Sequence, residues 1–419
     1  MGSKAESPRN FTNTMRFWHT LPLLAILLMV YISLAVGFAL RIPEWQPYDE
    51  PWHFTYIDKL AREKRMPTVE ESTEVHQPPL YYALMSLTIS KRTPYSGICT
   101  RLRLSSLIFG VFTLGVIFFT LKKLSICGFH AALITLIVMN IPALIACLSS
   151  ITNDSAAVLF SALSFLALVH ARGKTSSSWH ILLGFVAALA MLSKATCLFL
   201  VPTIFLFYLL EKTPLKKRFA DAAVCFATIG ALAGWWYVRN LLLYGDPTGS
   251  GEVLKLFEKN TANLLLPREF IRWNALLFHD FWNFQNFLRN KAPGYPSAID
   301  YFQLALSVLP FIGIALYILR KKTLRVATPI GWVFAIAVFS LWLEIYVNSF
   351  RVYMPTGRFL FPALLPMFYL WYRGMELAIP LKARTAFFCL AAAVMFAFNI
   401  YLLAAVLPPL PPMPFTAPF

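Results

Sequence analysis

Charge is scarce in this chain. Of its 419 residues only 14% are Asp, Glu, Lys or Arg, while 58% are hydrophobic and the mean hydropathy is +0.62. Soluble domains carry roughly 45–50% apolar and about 25% charged residues, so a soluble fold of this length is excluded. Alternating ten-residue stretches are missing as well, which excludes a transmembrane β-barrel. The six cysteines form no CxxC pair and no disulfide framework, and five of them (Cys127, Cys147, Cys197, Cys225 and Cys389) sit in apolar segments. There is no P-loop and no GxGxxG, hence no sign of a nucleotide site. No internal repeat and no large polar domain interrupt the chain.

What is there is apolar sequence in blocks. A block of about 20 apolar residues spans a bilayer core of about 30 Å, and helices are the open-ended structures that can do so. The pattern predicts an all-α polytopic membrane protein with about eleven spans, over 21–40, 104–121, 129–148, 155–171, 180–192, 196–210, 219–243, 302–319, 326–346, 359–372 and 386–407. The first block is too long for a signal-peptide core and lacks a small-residue cleavage site, so it reads as a retained helix. The net charge of +17 does not point to nucleic acid. Its lysines and arginines cluster in short inter-block loops, as in cytoplasmic loops facing anionic lipid. Lys122-Lys123, Arg172/Lys174, Lys212/Lys216/Lys217/Arg218, Arg320-Lys321-Lys322 and Lys382/Arg384 mark that side, together with the N-terminal tail bearing Lys4, Arg9 and Arg16.

This topology leaves four features on the outer face: the loop 41–103, the Thr152-Asn153-Asp154 corner, the long loop 244–301 and the short loop 348–358. All 20 carboxylates except Glu6, Glu211, Asp221 and Glu376 then lie outside or near membrane depth, as Glu344 does. The stretch 180–211 must go out and return in legs of about 24 Å, at 1.5 Å per residue. Its tip, Ser193-Lys194, therefore sits below the outer surface, where a lysine is costly unless it meets an anion. The apolar stretch 79–90 is too short to span and reads as an interfacial helix. Residues 1–407 form one transmembrane domain, and the Pro-rich 408–419 is expected to be a disordered tail.

Directly after the first span comes Gln46-Pro47-Tyr48-Asp49-Glu50-Pro51-Trp52-His53. Two carboxylates and a histidine near the bilayer surface suit a general base or a metal. They equally suit an acidic turn capping a helix that starts at Pro51. Further on stands Glu74-Val75-His76-Gln77-Pro78-Pro79-Leu80-Tyr81-Tyr82. Asn153-Asp154 opens the fourth span, either as a second active-site carboxylate or as a helix N-terminus. Asn153-Asp154-Ser155 also fits a glycosylation sequon but hugs the membrane too closely to be an acceptor. Three cations, Lys194, Arg239 and Arg358, converge on the outer boundary, where they would hold a phosphate or snorkel to lipid headgroups. Cations at the lipid boundary opposite carboxylates in an outer loop suit transfer of a group from a lipid-anchored phosphate to a carboxylate-activated nucleophile.

On these residues the chain resembles the GT-C superfamily of polyprenyl-phosphate-dependent glycosyltransferases, in the branch of the protein O-mannosyltransferases and the lipid A aminoarabinose transferase. The similarity is carried, in order over residues 20–370, by several short motifs. They are Asp49-Glu50, His76-Gln77-Pro78-Pro79-Leu80-Tyr81-Tyr82, Asn153-Asp154, Leu192-Ser193-Lys194, Arg239-Asn240 with Gly245-Asp246-Pro247, and Gly357-Arg358-Phe359-Leu360-Phe361-Pro362. The resemblance implies a GT-C fold and an inverting displacement at an anomeric carbon. Asp49 would be the base or the acceptor-orienting carboxylate, Glu50 its neighbour positioning acceptor or metal, and Asp154 the second carboxylate. Lys194, Arg239 and Arg358, with His76 and Tyr81, would bind the donor and its lipid phosphate. No cofactor is required, although Glu50, His53 and His76 are a candidate divalent-metal set.

The implied partners are a polyprenyl-phosphate-linked sugar, membrane lipids and a glycan, lipid or protein acceptor, with no nucleic acid. The lumenal β-trefoil insert of protein O-mannosyltransferases has no counterpart here, and neither does the soluble C-terminal domain of other relatives. This favours a glycolipid or polysaccharide acceptor. Loops 41–103 and 244–301 would select it, although Trp273, Phe278, Phe281, Trp282 and Phe284 serve membrane docking equally well. The expected place is the cytoplasmic membrane of a prokaryote, N-terminus inside and active site on the outer face. Two other readings stay open: a transporter or lipid-linked sugar flippase, and a polymer ligase or oligosaccharide transferase of the same fold. A transporter would put its charges at mid-bilayer on broken helices.

Overall fold

The computed structural model describes residues 21–174, 176–251, 255, 262–283, 297–321 and 328–407. The expected N-terminal tail and the Pro-rich 408–419 lie outside them, as does Phe284. The described residues contain helices and no strand. In chain order the helices are α1 (Leu21–Arg41), α2 (Glu50–Asp58), α3 (Leu80–Ser86), α4 (Ile98–Lys123), α5 (Gly128–Met139), α6 (Pro142–Leu148), α7 (Asp154–Ala171) and α8 (Ser177–Ser193). There follow α9 (Leu200–Leu210), α10 (Leu215–Tyr244), α11 (Pro267–Trp282), α12 (Ser297–Lys321), α13 (Pro329–Asn348), α14 (Leu364–Ala378) and α15 (Leu381–Tyr401).

Each of the eleven apolar stretches is helical over most of its described residues, but they are not equally long. Among the described residues seven segments can cross a membrane by length and composition: α1, α4, α7, α10, most of α12, α13, and α15 with its continuation to Val406. The expected third span is instead two helices, α5 and α6, bent by 74°. The cause is Pro142, which cannot continue a helix and holds Ile141 extended before it. Asn399 on α15 donates to the main-chain oxygen of Asn140 at 2.8 Å and so satisfies a carbonyl freed by the break. After the bend, α6 leads into the Ser149–Asp154 corner. The remaining stretches, α8, the 3₁₀ turn Ala195–Phe199 with α9, and the 3₁₀ turn Gly357–Ala363 with α14, are shorter or interrupted.

α7 packs on α4 and α8, α8 on α10, and α12 on α14. At the last crossing a Cβ on Gly374 would lie 2.5 Å from Pro310, so only glycine lets the two backbones approach this closely. The loop 41–103 is no open strap, because it builds a small core of its own. Phe54, Tyr56, Tyr81, Tyr82, Met85, Leu102 and Phe109 are buried together there, with the Tyr56 and Tyr82 rings stacked 3.9 Å apart. The short α3 thus buries one face in this core and exposes Leu84 and Leu87 on the other.

Candidate active site

Asp49 and Glu50 are adjacent in sequence and diverge in space. Trp45, Tyr48 and Asp49 all have positive φ (65°, 50° and 62°), a left-handed conformation that non-glycine residues rarely adopt outside sites held by their surroundings. α2 starts at Glu50, and Asp49 at its N-cap makes no side-chain capping bond, so the capping alternative does not describe it. Glu50 turns inward and is fully buried. It meets Arg103 in a forked pair, Nε to Oε1 at 2.8 Å and Nη2 to Oε2 at 2.7 Å, and accepts backbone N–H groups from Trp45 and Ile151. Arg103 also donates to the carbonyls of Ala39, Ile42 and Pro43, so every N–H of its guanidinium is engaged. This pair ties the end of α1, the start of α2, α4 and the Ile151 corner together. Glu50 does not reach the cavity described next.

A cavity of about 750 Å³ opens between the first loop, the Asn153 corner, the Lys194 turn, the end of α13 and the 348–358 loop. Asp49 lies in its wall with a 53% exposed side chain, open to the cavity. Arg358 Nη2 donates to Asp49 Oδ2 at 2.9 Å, and Arg358 Nε stands 3.8 Å from Asp154 Oδ2. Asp154 in turn accepts from Lys194 Nζ at 2.5 Å and from Thr152 Oγ1 at 3.0 Å. The four charges alternate, Asp49–Arg358–Asp154–Lys194. Lys194 thus has the anion that its depth calls for. Arg358 Nη1 has no hydrogen-bond partner among the described residues.

Local structure fixes these groups. Lys194 is extended between α8 and the following 3₁₀ turn. Arg358 is aimed by Gly357, whose N–H donates to Asp280 Oδ2 at 2.6 Å. A Cβ on Gly357 would lie 2.0 Å from the Phe281 nitrogen, so α11 leaves room for glycine alone. The Arg358 guanidinium sits 4.6 Å from the Tyr48 ring and Lys194 Nζ 4.5 Å from the Phe359 ring, both favourable cation–π placements. Tyr48 is anchored by its hydroxyl donating to the Ala143 carbonyl on α6 at 3.1 Å.

Beside Asp49 stand His53, Glu74 and His76. Burial works to raise the Asp49 pKa, but the positive charge of Arg358 and then His53 outweigh it and hold the carboxyl below its ordinary value. Burial pushes His53 down against the pull of Glu74 and Asp49, and it pushes Glu74 up. It also takes His76 down to about 4, against its bond to the Thr73 carbonyl. His53 Nδ1 pairs with the Tyr82 hydroxyl at 2.9 Å.

Other expected site residues lie elsewhere. Tyr81 is fully buried in the outer-loop core, bonded to Ser106 at 3.1 Å. Arg239 does not line the cavity; it lies against Trp236 and donates to Asn240. Glu50, His53 and His76 do not assemble, and no group of three or more His, Cys, Asp or Glu among the described residues is placed to hold a metal ion. Sequence reasoning missed Arg103, which looks like a loop-end charge, and Asp280, which carries no motif. Of the loop aromatics, Trp273, Phe281 and Trp282 are buried against the bundle and are therefore packing residues.

The fold and the site now bear comparison with known proteins. The profile of the family described as dolichyl-phosphate-mannose-protein mannosyltransferase matches residues 76–237. In structure the chain is similar to ArnT from Cupriavidus metallidurans in the apo state, at 14% identity and a TM-score of 0.54 over 93% of this chain. The chain has the GT-C fold. It is also similar to the same ArnT bound to undecaprenyl phosphate (14% identity, TM-score 0.52, 91% of this chain). A third similar structure is the Archaeoglobus fulgidus oligosaccharyltransferase in complex with Zn and sulfate (13%, 0.53, 94%). The chain spans 65%, 64% and 54% of the lengths of those three. No curated protein matches it in sequence.

Proposed function

We propose that this GT-C protein is an inverting glycosyltransferase that moves a sugar from a polyprenyl-phosphate donor to a hydroxyl acceptor on the outer face of the membrane. The observation that carries the reading is the Asp49–Arg358–Asp154–Lys194 ladder, with Arg358 Nη1 unpartnered beside an open cavity. A phosphate answers that unused donor through the guanidinium fork, and the ArnT with bound undecaprenyl phosphate shares the fold.

In the reaction the acceptor hydroxyl oxygen attacks the anomeric carbon. The bond from that carbon to the phosphate oxygen breaks, and its electron pair leaves with the phosphate. The hydroxyl proton passes to Asp49, which its low pKa keeps ionised and ready to accept. Lys194 and Arg358 meet the growing charge on the leaving phosphate, so no acid is needed on that side. Asp154 is the buried counter-ion that holds both cations, and Glu50 with Arg103 positions the loop that carries Asp49. The lysine and arginine clusters of the short loops support an orientation with the N-terminus in the cytoplasm and the cavity on the outer face.

Mass spectrometry of lipids and glycans from cells carrying wild type, Asp49→Asn or no gene tests this. One polyprenyl-phosphate sugar should accumulate in both defective strains, and that sugar should vanish from one glycan. Wild-type behaviour of Asp49→Asn alongside a changed null strain would sink the transferase reading and leave the transporter.

A further inference from the structure

The proposed transfer uses the cavity side of the loop 41–103 and leaves its far side unexplained. There α3 buries Tyr81, Tyr82 and Met85 in the loop's core and turns Leu84 and Leu87 outward, the latter 82% exposed. The depth of α3 follows from what its buried face touches. Tyr81 bonds through its hydroxyl to Ser106 on α4 at 3.1 Å, and its ring lies 6.0 Å from that of Phe109. On its exposed side α4 carries Leu104, Ile108 and Phe112, the apolar stripe of a helix able to cross a membrane. Leu84 and Leu87 therefore stand level with side chains that already face the apolar layer.

Three cations mark the polar edge of this surface. Arg101 stands on α4 just before the stripe begins, roughly 7 Å along the helix from Ser106 at 1.5 Å per residue. Lys91 and Arg92 follow α3 on a turn that is set in advance. Arg62 donates to the carbonyls of Lys91 and Thr93 at 2.9 and 2.8 Å, and the Ser90 N–H donates to Thr93 Oγ1 at 2.9 Å. All three cations are exposed, and none makes an ion pair among the described residues. Elsewhere in the loop, Lys59 and Arg65 are neutralised by Glu63 and Glu71, and Arg62 by Asp58. The positive-inside bias does not account for the unpaired set, because the other end of α4 carries Lys122 and Lys123 and only one end of a span faces the cytoplasm.

We infer that α3 and the turn after it form a lipid-binding face, with Leu84 and Leu87 among acyl chains and Lys91, Arg92 and Arg101 on the headgroups of anionic phospholipid. An apolar face edged by unpaired cations is matched to a negatively charged bilayer surface. It is poorly matched to a second copy of the chain, since a two-fold contact would set these cations against themselves. The inference does not depend on the transferase reading, because no group that lines the cavity takes part in it. It does bear on the cavity, since Tyr82 on α3 bonds to His53 on α2 at 2.9 Å and so ties the seated helix to the one that begins beside Asp49.

The test reads the depth of residue 87 in the full chain. Leu87→Cys is spin-labelled with the exposed Cys127 and Cys389 changed to Ser, the cysteines Cys99, Cys147, Cys197 and Cys225 being buried. The protein is placed in nanodiscs of phosphatidylcholine alone or of equal parts phosphatidylcholine and phosphatidylglycerol. In the mixed discs oxygen, which concentrates in the bilayer, should relax the label more than a nickel chelate, which stays in water. Changing Lys91, Arg92 and Arg101 together to Gln should move the label toward water, the ratio of seated to unseated loop falling about fivefold per cation. Wild type in phosphatidylcholine alone should behave like that variant. These side chains are exposed and unpaired, so the unfolding midpoint should hold; Arg101→Gln alone, with its single fivefold step, serves if the triple variant fails to fold. Stronger relaxation by nickel than by oxygen in the mixed discs overturns the lipid-binding face. A label closed to both reagents overturns it in favour of a protein cover. Equal depth in the two lipids and in the triple variant overturns anionic phospholipid as the partner.

Discussion

Glu50→Gln separates the two roles that a carboxylate beside Asp49 can hold. Glu50 and Arg103 are 0% and 1% exposed, and the four hydrogen bonds that Glu50 accepts from Arg103, Trp45 and Ile151 leave it no capacity for a substrate. The amide keeps the shape but loses the charge, and its NH₂ points a donor at an N–H that was donating to it. Breaking one side of a buried pair leaves the other charge uncompensated and costs about 3–5 kcal/mol. For a chain of this size that lowers the unfolding midpoint by roughly 5–10 °C. Scanning fluorimetry in detergent reads this directly. Arg103→Met should cost as much, and Glu50→Leu combined with Arg103→Met less than the sum of the single changes, because the double variant has no orphaned charge. The reasoning fails if Glu50→Gln unfolds within about 1 °C of wild type while transfer is abolished, for Glu50 would then be a catalytic group.

Three further outcomes follow from the site. Asp49→Asn should lower transfer by about 10²–10⁴-fold, the usual range for a lost general base, yet bind undecaprenyl phosphate at least as well because Arg358 is released; a matching loss of lipid binding would count against the base assignment. Gly357→Ala forces a Cβ onto the α11 backbone and should destabilise by about 1–3 kcal/mol while also reducing lipid-phosphate affinity through Arg358, checked by midpoint and binding together. His76 has its folded pKa lowered to about 4 from 6.5, so the folded state takes up its proton later than the unfolded one. Stability should therefore fall as pH drops from 6.5 toward 4 and level off below, and His76→Asn should flatten that slope in midpoint-against-pH curves.

Much of this was legible in the sequence, and the reasons differ by residue. Apolar blocks fix the helices because length and composition act locally, and Pro142 alone explains why one block is two helices. Asp49, Asp154, Lys194 and Arg358 announce themselves as charges at apolar boundaries, where solvation makes each one costly without a partner. Which charges pair is set by packing that local sequence does not record. Glu50 and Arg103 are 53 residues apart, and nothing beside either predicts the other. Adjacent carboxylates read alike until backbone conformation turns one inward, and three positive φ angles in five residues do that here. Tyr81 shares a motif with His76 but points into the outer-loop core.

The ion pair between Asp49 and Arg358 joins residues 309 positions apart. At roughly 5–20 residues per second, ribosomal synthesis separates the two halves of the centre by about 15–60 s. Throughout that interval Asp49 has been made without its counter-ion, while Lys194 and Asp154 have only each other. The four-charge ladder is thus incomplete in the nascent chain until Arg358 has been made. A truncation before Arg358 would leave a fragment in which Asp49 has no ion-pair partner and the charge ladder stops at Asp154.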